Sequence, residues 1–141
     1  MVELFVAMLL GHFVGDYPLQ NNAMALGKSG PGWKGYAWCL LHCTLYTLAV
    51  CAFVATVRPD VAFNPLFAGL VFLSHYPIDR WSLAKYWIWL MHSRDIEATL
   101  KLPASDMRDI MLPFSAIIYV ATDNTIHWVL MWFIALHFAG A

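Results

Sequence analysis

Apolar residues fall into four long runs separated by polar, Gly- and Pro-containing breaks. The runs cover about Val2 to Leu19, Tyr36 to Val57, Val61 to Arg80 and Phe114 to Phe138. Each is near the length at which an α-helix crosses a bilayer. The pattern predicts an all-α fold: a polytopic transmembrane four-helix bundle forming a single integral membrane domain over residues 1–141. Residues 20–35 (QNNAMALGKSGPGWKG) predict a loop, and Arg58-Pro59-Asp60 a short turn. Residues 81–112 begin with the aromatic stretch WSLAKYWIWLM and hold most of the remaining charge. They predict a short interfacial helical segment between the third and fourth helices. Later in the same connection, Ser105 is the expected N-cap of a short helix that stops near Pro113.

The runs are interrupted by ionisable residues at a repeated spacing. His12 and Asp16 lie four apart in the first run, His75 and Asp79 in the third, and Asp123 and His127 in the fourth; His42 stands in the second. Residues four apart share a helix face, roughly 6 Å apart at Cβ, within reach of one metal ion. Such groups at membrane depth are costly unless paired, hydrated or metal-bound, so they mark function. Gly11 and Gly15 form a small-xxx-small pair that lets a neighbouring helix approach closely. Pro77, between His75 and Asp79, predicts a kink that aims the carboxylate inward.

Composition supports the membrane reading. The chain is 61% hydrophobic and 12% charged, against about 45–50% and 25% in soluble domains. Seven Trp and six Tyr suit interfacial belts. A net charge of −1 gives no basis for nucleic-acid binding. Cys39, Cys43 and Cys51 share one run and imply no disulfide framework. Glu3, His12 and Asp16 do not suit a signal-peptide core, so the first run is expected to remain as a helix. Seven of the eight Lys and Arg (Lys28, Lys34, Arg80, Lys85, Arg94, Lys101 and Arg108) fall in the first and third connections, and Arg58 alone in the second. The positive-inside rule then puts both termini outside and the two longer connections in the cytoplasm. All four helices thereby bring an ionisable group to the cytoplasmic half or the centre of the bilayer.

The convergent set is His12, Asp16, His42, His75, Asp79, Asp123 and His127. Imidazole and carboxylate suit Zn, Mn or Fe, and seven donors exceed one tetrahedral zinc. Two divalent ions are expected: with three aspartates and one hydroxide they leave no net charge. A metal-bound water would serve as nucleophile without Ser or Cys. Lys28, Lys34, Arg80 and Lys85 at the same face would suit a lipid or isoprenoid phosphate. Gln20, Arg80 and Asn124 are expected beside the ligands or at the interface, and His92 and His137 lie outside the pattern. The expected function is a membrane-embedded, metal-dependent hydrolase. One alternative is a metal-ion or proton-coupled transporter, which at this size would need to form a homo-oligomer. Another is a phage or host structural membrane factor.

Together GHFVGDYPLQ, CLLHCTLY, HYPIDR and DNTIHWVL resemble a domain-of-unknown-function family of small membrane proteins from bacteria and their phages. That resemblance covers nearly the whole chain and implies a bacterial inner-membrane location. It implicates His12, Asp16, Gln20, His42, His75, Asp79, Asp123 and His127, and implies no established activity. Tyr17 stands where the family has Phe, and Asn124 where it often has Gln.

Overall fold

The computed structural model describes residues 1–93, 95–101 and 106–140, all helix and connecting turns with no strand among them. Its elements are α1 (Val2–Asp16), α2 (Asn22–Gly27), α3 (Gly32–Ala55), α4 (Pro59–Ala62), α5 (Pro65–Trp81), α6 (Leu83–His92), α7 (Ile96–Leu100) and α8 (Asp106–Ala139). The expected N-cap Ser105, and Arg94, lie outside the described residues.

Local chemistry sets the boundaries. α1 stops at Asp16, short of the expected Leu19: Tyr17 still donates to the Phe13 carbonyl, but Pro18 has no N–H with which to continue the ladder. Asn21 caps α2, its side chain accepting from the Met24 N–H at 2.9 Å, and Asn64 caps α5 in the same way through Leu66. Pro65 then takes a position in the first turn where a missing N–H costs nothing. Ser82, at φ 49° and ψ 53°, ends α5 in the left-handed region and turns the chain into α6.

Two prolines sit inside helices. α5 runs through Pro77, and α8 runs unbroken through Pro113, where the sequence predicted a stop. An internal proline removes one hydrogen bond, whereas ending a helix leaves four N–H or four C=O groups without intrahelical partners. Continuing through the proline leaves fewer backbone groups unpaired than stopping there.

α3 and a 29-residue stretch of α8, Met111–Ala139, are long and apolar enough to cross a membrane. α1 and α5 have 15 and 17 residues, about 22 and 26 Å at 1.5 Å per residue.

α1, α3, α5 and α8 pack together with an uneven distribution of chemistry along their length. Leu4 and Met8 of α1, Val50 and Val54 of α3, Phe67 and Val71 of α5, and Met131 and Phe138 of α8 form one dry cluster. These come from the starts of α1 and α5 and the ends of α3 and α8. His12 and Asp16, His42, and His75 and Asp79 lie in the opposite halves of α1, α3 and α5, and Asp123 and His127 lie midway along α8, just before Met131. The bundle is thus an apolar plug at one end and a polar chamber at the other. α1 and α3 meet through Gly11 and Gly15. A Cβ on Gly11 would lie 2.5 Å from Val50 Cα, and one on Gly15 3.0 Å from Tyr46 Cα. This backbone-to-backbone approach matches the small-residue reading of the sequence and brings α1 close to His42 on α3.

Candidate metal centre

Every sequence-predicted ligand faces the chamber. His42 Nε2 lies 3.0 Å from His75 Nε2, 3.2 Å from Asp16 Oδ1 and 2.9 Å from Asp79 Oδ2. His75 Nε2 lies 3.4 Å from Asp16 Oδ1 and 3.1 Å from Asp79 Oδ2. Four donors each about 2.0 Å from a tetrahedral ion would be about 3.3 Å apart. The five separations here run from 2.9 to 3.4 Å.

Hydrogen bonding does not account for that cluster. A carboxylate brings no hydrogen, and each neutral imidazole has only one N–H to share between its two nitrogens. Two hydrogens at most therefore serve five close approaches. Asp16 Oδ1, buried, makes no hydrogen bond of acceptable geometry. One cation at the centre satisfies all four atoms together. Asp16, His42, His75 and Asp79 are accordingly a group that could hold a metal ion.

A second such group is Asp79, Asp123 and His127. His127 Nε2 lies 3.8 Å from Asp79 Oδ1 and 3.7 Å from Asp123 Oδ2. It too is buried and without a hydrogen-bond partner. Asp79 therefore belongs to both groups, presenting Oδ2 to the first and Oδ1 to the second.

His12 is held differently. Its Nε2 is 2.8 Å from Asn124 Oδ1, and its Nδ1 is 3.2 Å from both Tyr46 Oη and Asp16 Oδ2. Both ring nitrogens are thus occupied by protein partners, and His12 stands beside Asp16 outside the two ligand groups. Asn124 joins the arrangement through this bond and donates to Tyr17 Oη at 2.9 Å. The Gln20 amide nitrogen lies 3.1–3.2 Å from the two ring nitrogens of His42. Arg80 is buried, with its guanidinium 4.1 Å above the Tyr36 ring. Its Nη1 donates to the Lys28 carbonyl at 3.5 Å, so it braces the connection before α3.

Two contributors are not marked by the four-residue pattern of ionisable groups. Tyr46 stacks on His75 with centroids 3.6 Å apart, and His75 stacks in turn on His127 at 4.3 Å. Tyr46 lies four residues after His42, so helical spacing was the available signal. Lys28, assigned from sequence only to the membrane face, donates from Nζ to Asp79 Oδ2 at 2.7 Å. Burial alone would lower the basicity of this ammonium, but Asp79 outweighs it and raises the pKa. Lys28 also lines a cavity of about 250 Å³, together with Asp16, Gln20, Asp79, Asp123 and Asn124. The ligand carboxylates are therefore reached from the α2 side of the bundle.

The family model described as "Protein of unknown function (DUF3307)" matches residues 4–139, and the chain belongs to that family. No curated protein and no solved structure matches it significantly.

Proposed function

We propose that this DUF3307 protein is a membrane-embedded metalloprotein that binds two divalent ions, of Zn, Mn or Fe, and hydrolyses a lipid or isoprenoid phosphate at the cytoplasmic leaflet. The observation that carries the reading is the set of separations of 2.9–3.4 Å among Asp16, His42, His75 and Asp79. Asp16, His42, His75 and Asp79 would hold one ion, and Asp79, Asp123 and His127 the other. His12, tied to Asn124 through Nε2, would fix the position of Asp16 by packing beside it and, when its ring is doubly protonated, by donating from Nδ1 as well. Bound divalent ions supply Lewis acidity toward a phosphoryl oxygen and lower the pKa of water. Lys28, in the adjoining cavity, would meet the anionic group of the substrate.

Placement in the membrane rests on three observations. α3 and α8 have the length and hydropathy of spans. Large apolar side chains point outward along the bundle, with Leu48, Leu73, Ile117 and Phe133 each more than 60% exposed. A soluble surface rarely carries so much contiguous apolar area. The seven-to-one distribution of Lys and Arg supports a multi-pass inner-membrane orientation with both termini outside. The apolar cluster beyond the chamber, from Leu4 and Val54 to Phe138, favours a hydrolase over a transporter, since the side chains packed there offer an ion no imidazole or carboxylate ligands.

Elemental analysis of the purified protein tests the reading. About two equivalents of one metal are expected, falling to background in an Asp79→Ala/His127→Ala double variant. Metal-free protein that is folded and monodisperse, and takes up no ion on titration, would sink it. Phosphate release from lipid phosphates by the metal-loaded protein then separates hydrolysis from transport in sealed vesicles.

A further inference from the structure

The polar cavity adjoins a second space. Val120 and Asn124 line it, and the same two residues line a groove of about 540 Å³ between α1 and α8. The groove is walled by Phe13, Ala116, Ile117 and Trp128. Thr125, its remaining hydroxyl, is turned into the helix and donates to the Ala121 carbonyl at 2.7 Å. Chemistry changes from apolar to charged within one turn of α8, between Val120 and Asp123–Asn124. From Ala116 to Trp128 the groove follows twelve residues of α8, about 18 Å. Its volume falls within the usual range for ligand sites.

We propose that this groove seats the hydrocarbon chain of a membrane lipid whose phosphate headgroup occupies the Lys28 cavity. The inference rests on the reading above for the headgroup end and deepens it by specifying the substrate as an amphiphile. Adjacency is the first support: an occupant of both spaces would be polar beside Lys28 and apolar where it meets the Ala116–Trp128 groove at Val120 and Asn124. Rigidity at the junction is the second. Asn124 accepts from His12 and donates to Tyr17, with Val120 O also in bond range at 2.7 Å. The carboxamide that both spaces share is therefore fixed in position. Charge is the third, since Lys28 and two divalent ions would make the chamber receptive to an anion. A second apolar hollow, of about 400 Å³ against α6, shares no lining residue with the polar cavity. It serves as an internal comparison for lipid that merely surrounds the protein.

The test is photo-crosslinking of the full chain, metal-loaded and in nanodiscs, with a hexadecyl phosphate bearing a diazirine near the chain terminus. Labelled peptides are expected to contain Ile117 or Trp128. Excess hexadecyl phosphate should compete, and inorganic phosphate should not. Ala116→Trp fills the groove from an exposed position and should lower labelling about tenfold, the effect of one strong contact, with metal content unchanged. Lys28→Ala should lower labelling by the phosphate probe but not by the corresponding alcohol. Equal labelling of wild type and Ala116→Trp, or labelling confined to the Trp87 hollow, overturns the proposal. Labelling by the alcohol as strong as by the phosphate in the wild type also overturns it, because the probe is then reporting annular lipid. Metal content is read on the same samples, so loss of the metal reading and loss of the groove reading are distinguishable.

Discussion

The Lys28 ammonium donates to Asp79 Oδ2 at 2.7 Å, the same oxygen that lies 2.9 Å from His42 Nε2. The one carboxylate shared by both ligand groups thus carries a cation delivered from the connection between α2 and α3. An entering metal ion must share or replace that contact. Lys28→Met removes the competitor while keeping most of the stem, so metal affinity should rise. Loss of one charge-assisted hydrogen bond is worth about 1.5–3 kcal/mol, roughly tenfold or more in affinity. The metal-free variant should be less stable, because Asp79 is left buried without its partner. Chelator-competition titration checks the first expectation and thermal unfolding the second. Weaker metal binding in Lys28→Met would show that the lysine supports the ion instead of competing with it.

Asp79 also sets an expected order of stoichiometries. It presents different oxygens to the two groups, whereas Asp123 faces His127 alone among the histidines. Asp79→Ala should lose both ions, and Asp123→Ala one of the two. Plasma mass spectrometry on matched preparations distinguishes these results. Equal loss in the two variants would remove the shared role of Asp79.

His12 separates a ligand from a residue that supports one. With both ring nitrogens engaged by Asp16, Tyr46 and Asn124, His12→Ala should retain two equivalents of metal. Its affinity should fall by about 10- to 100-fold, the usual effect of removing a supporting partner. Loss of a whole equivalent would make His12 a ligand. Asn124→Ala should act in the same direction, since it leaves a buried histidine nitrogen unpaired at about 1–3 kcal/mol.

Much of the chamber was readable before any coordinates because its residues break an otherwise apolar pattern. One histidine and aspartate four apart in a hydrophobic run can be a hydrogen bond between helices, but three such pairs plus His42, spread over four helices, point to one shared site. Gly11 and Gly15 were readable for the same geometric reason. Lys28 was not readable as a partner of Asp79. It is 51 residues away on a connection whose path no periodicity describes. The division between ligands and His12 was equally hidden, since it depends on Asn124, 112 residues distant, arriving opposite one ring nitrogen. Continuation of α8 through Pro113 is not legible from proline's local preference, which leaves out the cost of an unsatisfied helix end.

Gly11 offers a test of how far the chamber depends on the packing that brings α1 to α3. Its absent Cβ leaves room for Val50 Cα at 2.5 Å, Val50 N at 2.9 Å and the Ala49 carbonyl at 3.0 Å. All three are backbone atoms, so no side-chain rotation relieves the clash. Gly11→Ala must push α1 outward, at about 1–3 kcal/mol as for other overpacked sites. Displacing α1 moves His12 and Asp16 with it, so metal affinity should fall together with stability. Gly69 provides the control: it lies within α5, and nothing is within 4 Å of a Cβ added there. Gly69→Ala should be neutral, or stabilising by up to about 1 kcal/mol through the helix preference for Ala. Thermal unfolding and metal titration of the two variants check both expectations. A Gly11→Ala protein that unfolds and binds metal like the wild type would mean that the chamber does not depend on the close approach of these helices.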